Sequence, residues 1–237
     1  MSLPSDPPDA VPTADAEVVA DPAPLAVVAD AAAAAAAAPV PRKRPKPGER
    51  RVQILQTLAT MLEQPGADRI TTAALAARLG VSEAALYRHF ASKAQMFEGL
   101  IDFIEQSVFT LVNQITERET DAAIQTRRVL AALLQFGERN PGMTRVMVGD
   151  ALVFENERLV ARMNQFFDRI ESQLRQSLRQ HAEASGSATP TVDANAHASV
   201  LTAFAVGRLQ RYARSGFKRA PTEHLDIALA MLVGWDG

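Results

Sequence analysis

From Glu49 almost to the end of the chain, apolar residues recur at steps of three and four positions. This spacing is typical of amphipathic helices. No alternating run of β-branched residues lies between turn-forming residues, as a strand would require. The pattern therefore predicts an all-α protein of about nine helices. They run from 49 to near Gly66, over the 72–79 region, briefly after Ser82, from Ser92 to about Ile115, and then over roughly 121–139, 142–150, 153–183, 193–214 and 222–234.

Residues 1–48 differ from the rest of the chain. They are rich in Pro, Ala and Asp and end in a basic run, PRKRPKPGERR, that continues into the first helix. Such a segment cannot bury enough apolar surface to offset the entropy lost on ordering, which predicts disorder. We predict a disordered tail with a basic, DNA-contacting arm over 1–48, a DNA-binding domain over 49–95 and a helical dimerisation and partner-binding domain over 96–237. A solvated linker is the alternative for the basic run.

The net charge of −2 is distributed unevenly. Residues 1–40 carry six acids and no Lys or Arg, whereas residues 42–98 carry ten Lys and Arg against five Asp and Glu, a local charge of +5. A local excess of this kind indicates a polyanionic partner for that segment. There is no Cys, the acidic start is unlike an export signal, and the Ala-rich run containing Asp30 is too weakly apolar to span a bilayer. These features predict a cytoplasmic protein without a membrane segment.

Two short helices meet across a tight turn in ITTAALAARLGVSEAALYRHFASK. Thr72 is placed to cap the first helix and Gly80 to end it in a left-handed turn, while Ser82 and Ser92 can cap the helices that follow. Helices of seven or eight residues are marginal in water without support. The apolar set that can brace them against the first helix is Ile70, Leu75, Leu79, Val81, Leu86 and Phe90. This arrangement predicts a helix-turn-helix.

Small side chains lead the second helix of this motif, and an aromatic-basic cluster follows them. Small residues permit close approach to base edges in the major groove, whereas the cluster is suited to the flanking phosphates. Hydroxyls and free backbone N–H groups at helix starts also favour phosphate. We predict a DNA-binding surface that comprises Thr71, Thr72, Ser82, Glu83, Ala84, Tyr87, Arg88, His89 and Lys93. An ordinary corner between two helices is the structural alternative.

Catalysis has little support in the sequence. The four His residues are scattered without the spacing of a metal site, and no phosphate-binding glycine loop or nucleophile motif is present. His89 belongs to the predicted DNA surface, while His181 and His197 flank a loop. We therefore expect no enzyme activity, no metal and no cofactor.

The residues T-x-x-x-L-A-x-x-x-G-V-S-x-x-x-L-Y-x-H-F, from Thr71 to Phe90, resemble the DNA-binding domain of the TetR family. The resemblance implies a TetR-like fold, palindromic double-stranded DNA sites and a homodimer. It also implies that two helices of each C-terminal domain build the dimer interface, here 193–214 and 222–234. Ala198, Ala203, Ala205 and Gly207 are small enough for close packing there, although a helix buried within one chain would look the same.

A narrower resemblance covers most of the chain after residue 49. The segments DFIE, LLQFGERNPGMTRVM, ALVFENERL and RSGFKRAPTEHLD are similar to those of the nucleoid occlusion factors. The resemblance implies a nucleoid-associated inhibitor of cell division that binds DNA and the division protein FtsZ together. Carried over by position, Phe103, Arg139 and Asn140 are the FtsZ-facing residues, at the junction of the fourth and fifth helices. Leu111, Ala132 and Gln135 depart from the family, which has Arg, Leu and Gly there, and the 48-residue extension is another departure.

A ligand-responsive repressor of the TetR type is the main alternative function. In that case a small molecule would enter the C-terminal domain and release DNA. Aromatic side chains at helical spacing could line its pocket, although the same spacing is common in a plain core. The candidates are Phe136, Phe154, Phe166, Phe167 and Phe204.

Overall fold

A computed structural model describes residues 48–64 and 69–233. Within these ranges the chain forms nine α-helices and one short 3-10 helix, and no strand. The predicted tail up to residue 47 and the predicted helix stop near Gly66 lie outside the described residues. The α-helices are α1 (Glu49–Leu62), α2 (Thr72–Leu79), α3 (Glu83–Tyr87), α4 (Lys93–Arg118), α5 (Ala122–Arg139), α6 (Pro141–Met147), α7 (Glu157–Ala184), α8 (Pro190–Arg214) and α9 (Leu225–Val233). The all-α prediction is confirmed.

Several helices begin or end away from the predicted positions, each for a local reason. Helix α6 stops at Met147, before Gly149 adopts a left-handed conformation with φ 84°. Helix α7 begins at Glu157 because the side chain of Asn156 caps it, accepting from the Arg158 N–H at 3.1 Å. Helix α8 begins at Pro190, a residue suited to the first helical turn. Its earlier start shortens the predicted 184–193 loop.

A single apolar core runs through the described residues, from Ile54 in α1 to Val233 in α9. Helix α4 is central to it, since α1, α5, α6 and α7 all pack against it. Helices α7 and α8 form the most extensive helix pair. Phe166 of α7 is fully buried, with the rings of Phe109 and Phe167 edge-on to it at centroid distances of 5.6 and 5.1 Å.

Helix α6 joins α1 to the C-terminal helices through a close backbone contact. A Cβ added at Gly142 would lie 2.1 Å from the carbonyl oxygen of Ala59. The Gly142 N–H donates to the Glu63 carboxylate just beyond α1, and Arg145 donates to the Leu62 carbonyl oxygen at 3.3 Å. The last turn of α1 is therefore fixed against α6 by both shape and hydrogen bonds.

A row of ion pairs, here called the α4–α7 seam, connects α4 to α7 and to the residues just before α7. Arg162 donates to Glu105 at 2.7 and 3.1 Å and to Asp102 at 2.6 Å. These carboxylates raise the pKa of the Arg162 guanidinium. The other pairs of the seam are Arg158 with Glu98 and Lys93 with Glu155. Cations and acids of the seam therefore largely neutralise one another.

Within the described residues, no helix combines the length and apolar character that crossing a bilayer demands.

Candidate nucleic-acid interface

The start of each helix in the helix-turn-helix is capped by a hydroxyl. The Thr71 Oγ1 accepts from the Ala74 N–H at 3.1 Å, and the Ser82 Oγ accepts from the Ala85 N–H at 3.3 Å. The predicted cap at Thr72 is therefore wrong by one position, because the extended backbone of Thr71 places that residue before the first helical turn. The predictions for Gly80, which ends α2 with φ 65°, and for Ser82 are confirmed.

Thr72 has a different contact, which joins the two helices. Its hydroxyl donates to the Glu83 carboxylate at 2.6 Å, between the first turn of α2 and the first turn of α3. Glu83 also lies at the positive end of the α3 dipole, where an acid is favourable. The two helix starts are thus held together at the surface that the sequence predicts to face DNA.

The helix-turn-helix is supported from below by apolar side chains. Leu86 and Phe90 are almost completely buried, together with Leu75 and Leu79 of α2 and Ile54 of α1. Of the six residues predicted to form this brace, only Val81 is half-buried rather than buried. Helix α3 has five residues instead of about seven, so it depends on these neighbours even more than the sequence suggests.

Arg51 braces the end of the recognition segment, and the sequence analysis missed it. Its guanidinium donates to the His89 carbonyl oxygen at 2.9 Å and lies 4.0 Å from the centre of the Phe90 ring. The chain leaves α3 after Tyr87, so this carbonyl has no helical partner of its own. A side chain reaching a backbone oxygen 38 residues away leaves no periodic signal, and only the basic character of α1 pointed to it.

The side chains of the predicted recognition face are exposed. Tyr87 has 45% of its surface exposed, an unusual value for a large aromatic residue in a folded domain. The other exposed members of the predicted surface are Thr71, Ser82, Glu83, Ala84, Arg88 and His89. Exposed donors, small residues and one aromatic ring therefore lie along the short helix and its two ends.

Lys93 is the member of the predicted set with a different environment. It begins α4, but its ammonium is 2.5 Å from the Glu155 carboxylate and 5.6 Å from the centre of the Phe97 ring. Only a quarter of the side chain is exposed. In this conformation Lys93 belongs to the α4–α7 seam, whereas Thr72 is half-buried and hydrogen-bonded within the helix-turn-helix.

The predicted FtsZ-facing residues lie at the α4–α5 junction. The Phe103 ring of α4 is 6.3 Å from the Phe136 ring of α5, and both pack on the core. Arg139 is exposed in the last turn of α5. The Asn140 side chain donates to the Phe136 carbonyl oxygen at 2.8 Å and so ends α5. The structure brings these residues to one junction, and it gives Asn140 a structural contact there.

The residues that depart from the family have different surroundings in the same two helices. Leu111 is buried in α4, Ala132 is half-buried, and Gln135 is exposed.

Two open grooves among the described residues, of about 500 and 330 Å³, are lined chiefly by polar side chains of α7 and its neighbours. None of the five candidate Phe residues lines either groove. Phe154 is instead 65% exposed, and Phe166 is fully buried in the core. Across the described part of the chain, no cluster of His, Asp and Glu could hold a metal ion.

Two protein-family models match the chain, one in its N-terminal and one in its C-terminal part. Residues 54–100 match the model for bacterial regulatory proteins of the tetR family. Residues 120–234 match the model described as SlmA-like, tetracyclin repressor-like, C-terminal domain.

Three similar curated proteins bear the name nucleoid occlusion factor SlmA. The protein of Photobacterium profundum is 55% identical over 182 residues, which cover 76% of this chain and 92% of the relative. That of Vibrio vulnificus is 53% identical, with coverage of 79% and 95%. That of Vibrio cholerae is 54% identical, with coverage of 77% and 93%.

Solved structures of regulators share the fold of this chain, although their sequences are only distantly similar to it. FadR from Bacillus subtilis, in complex with stearoyl-CoA, aligns with a TM-score of 0.62 at 14% identity and covers 77% of this chain and 97% of its own. The TetR family regulator PfmR from Thermus thermophilus aligns with a TM-score of 0.63 at 21% identity, with coverage of 78% and 99%. These likenesses identify the fold.

Proposed function

Because the chain belongs to the TetR family and, within it, to the nucleoid occlusion factors called SlmA, we propose that it binds specific chromosomal DNA sites as a dimer and binds FtsZ at the same time. FtsZ held in this way is prevented from assembling a division ring over the nucleoid. Its binding to chromosomal DNA associates the protein with the nucleoid. Members of this family are DNA-binding proteins rather than enzymes.

The DNA-binding part of the proposal is supported most directly by the surface of α3. Tyr87, Arg88 and His89 are exposed beside the small residues Ser82 and Ala84, whereas the buried side of the same segment is apolar. A five-residue helix held by neighbours fits a major groove without carrying much bulk into it. The basic run just before α1, which lies outside the described residues, is the proposed second contact to phosphate.

The dimer part is supported by exposed apolar side chains on the last two helices. Val200 of α8 is 53% exposed, and Ile227 and Met231 of α9 are 64% and 82% exposed. Large apolar side chains this exposed on the two helices favour an association surface there. Residues 96–237 thus serve as the dimerisation and partner-binding domain, with 49–95 as the DNA-binding domain.

The FtsZ part is supported by the α4–α5 junction. Arg139 is exposed at the end of α5 and forms no ion pair with another described residue, and Phe103 packs against Phe136, one turn before Arg139. Arg and aromatic residues are enriched in protein interfaces.

Two experiments test the proposal. Mapping of genomic binding sites should give scattered sites that are absent near the replication terminus; one or two promoters would instead indicate an ordinary repressor.

Arg139→Asp should leave DNA affinity unchanged and abolish the inhibition of FtsZ assembly, measured by sedimentation. Arg118→Asp, at the far end of α4, is the matched control and should inhibit like the wild type. Unchanged inhibition by Arg139→Asp contradicts the proposal.

A further inference from the structure

The connection between α8 and α9, residues 215–224, is a rigid basic loop. Two residues other than glycine have positive φ in it, Phe217 at 64° and His224 at 53°. Such conformations are strained and persist only where surrounding contacts fix them. The Ser215 Oγ accepts from the N–H groups of Lys218 and Arg219 at 3.1 and 3.0 Å, which supplies one of these contacts.

Further contacts attach the loop to its neighbours. The Phe217 ring lies edge-on to the Tyr212 ring at a centroid distance of 5.2 Å. The Arg208 guanidinium donates to the Glu223 carbonyl oxygen at 2.8 Å. The loop therefore has a defined shape, and the side chains that it exposes are held in place.

The loop is joined to the end of α5, next to the proposed FtsZ-binding surface. Thr222 donates a hydrogen bond to the Glu138 carboxylate, and the Tyr212 hydroxyl donates to the Glu138 carbonyl oxygen at 3.1 Å. Glu138 immediately precedes Arg139 in the chain. The cations of the loop and Arg139 thus belong to one neighbourhood.

The exposed cations of this neighbourhood are unpaired, although the acids Glu63, Glu138 and Glu223 lie near it. Arg139, Lys218 and Arg219 are exposed, and none of them has an ion pair with any other described residue. The nearby acid Glu138 is already hydrogen-bonded to Thr222. The Glu223 carboxylate lies 4.0 Å from His224. Cations left unpaired on a fixed surface are available to an anionic partner.

The position of the loop separates it from the predicted DNA surface. Arg51, in the first turn of α1, contacts the end of the recognition segment, whereas Leu62, in the last turn, contacts α6. Tyr212 and Thr222 are hydrogen-bonded to Glu138, four residues before Gly142, which contacts Ala59 in the C-terminal half of α1, so the loop lies towards the C-terminal end of α1. A helix of 14 residues is about 20 Å long, so the loop and the recognition helix lie at opposite ends of α1.

We propose that Lys218 and Arg219 extend the Arg139 surface and bind an acidic segment of the protein partner. The inference rests on the proposed function, because it assigns this partner to the Arg139 surface. A cluster of cations that is complementary to an acidic partner accelerates association and fixes the register of the bound segment. The combined patch of Arg139, Lys218 and Arg219 is here called the basic rim.

The test compares three forms of the full chain, each bound to a duplex carrying a mapped site. Lys218→Glu combined with Arg219→Glu should weaken binding to purified FtsZ by about tenfold at low salt and make the affinity less salt-dependent. Lys218→Arg combined with Arg219→Lys retains both charges and should bind within about twofold of the wild type. DNA affinity should be unchanged in both, since the loop lies away from the recognition helix. A thermal melt of each variant establishes that it is folded, and the double alanine variant replaces the reversal if that form melts early.

The outcomes separate the inference from the proposed function. Loss of FtsZ binding in Arg139→Asp, with full binding in the Lys218 and Arg219 reversal, overturns the inference and leaves the proposed function standing. Weaker DNA binding in the reversal, with FtsZ binding unchanged, overturns the inference by assigning the basic rim to DNA. A wild-type chain that does not bind FtsZ overturns both.

Discussion

Basic side chains have opposite environments on the recognition segment and along the α4–α7 seam. Arg88, which follows α3, is exposed and has no ion pair with any described residue, whereas Arg162 of α7 is shared between two carboxylates of α4. A paired cation contributes to the fold and is costly to detach, while an unpaired one is free to neutralise a phosphate or a carboxylate of another molecule. The basic residues therefore fall into two groups, those paired within the fold and those available to another molecule. Only the environment of each residue shows to which group it belongs.

The largest effect that would break this comparison is expected at Arg162. Arg162→Gln leaves Asp102 and Glu105 without their cation, which should destabilise the fold by about 1–2 kcal/mol, given the partial exposure of the cluster. A loss of that size lowers the melting temperature by about 3–6 °C, measurable by calorimetry. DNA affinity at a temperature below the melt should be unaffected. The control is Arg179→Gln, in an exposed pair with Glu183 on the same helix, which should change stability by less than about 0.5 kcal/mol.

The complementary change is Arg88→Gln. Since Arg88 has no ion pair to lose within the described part of the chain, stability should be unchanged. The affinity for duplex DNA should fall by roughly tenfold, and the slope of log K against log salt should decrease by about one, as for the loss of one phosphate contact. Anisotropy titrations at three salt concentrations measure both. An unchanged slope would show that Arg88 does not neutralise a phosphate.

Glu155→Gln would leave Lys93, now paired, without its ion pair. It releases the Lys93 ammonium at the start of α4, next to the recognition segment. We expect DNA affinity to rise by about two- to fivefold at low salt and this gain to vanish at high salt. Lys93→Gln combined with Glu155→Gln is the control and should remove the gain. If Glu155→Gln alone leaves DNA binding unchanged, Lys93 is a structural residue of the seam.

The smallest effect concerns Glu63, an acid at the end of α1 that has no ion pair among the described residues. Burial raises the pKa of Glu63, and the hydrogen bond from the Gly142 N–H offsets this only partly. An acid with a raised folded pKa destabilises the fold once pH exceeds its ordinary value near 4.5, because the buried carboxylate must then carry charge. Glu63→Gln, which retains an acceptor for Gly142, should slightly raise the melting temperature at pH 7. The difference should disappear as pH falls through 4.5, and a difference that persists at low pH would contradict this explanation.

Features carried by neighbouring residues could be predicted from the sequence. Gly80 ends α2 in a left-handed turn, and Ser82 and Ser92 cap the next helices, because each of these signals depends on residues within one turn. The cap was predicted at Thr72 but lies at Thr71, because the backbone of Thr71 is extended, which the sequence does not indicate.

Contacts between distant segments could not be predicted. Arg51 with His89 and Lys93 with Glu155 join residues 38 and 62 positions apart, and neither pairing alters the local helical pattern. The sequence consequently identified Lys93 as basic and well placed, without indicating that a carboxylate already holds it. Tyr87 is exposed whereas Leu86 and Phe90 are buried, so the residues predicted to brace the helix-turn-helix are separate from those predicted to face DNA.

The contact between Gly142 and Ala59 has a consequence for the proposed dimer on a palindromic site. Each recognition helix is carried by α1, and α1 lies directly on the backbone of α6 without an intervening side chain. Any residue larger than glycine at 142 would push α1 away from α6 and tilt the helix-turn-helix. In a symmetric pair, that tilt is doubled and alters the distance between half-sites, which DNA fixes at one helical turn or a multiple of it. We therefore expect the lack of a side chain at residue 142, away from the predicted DNA surface, to set the half-site spacing of the proposed dimer.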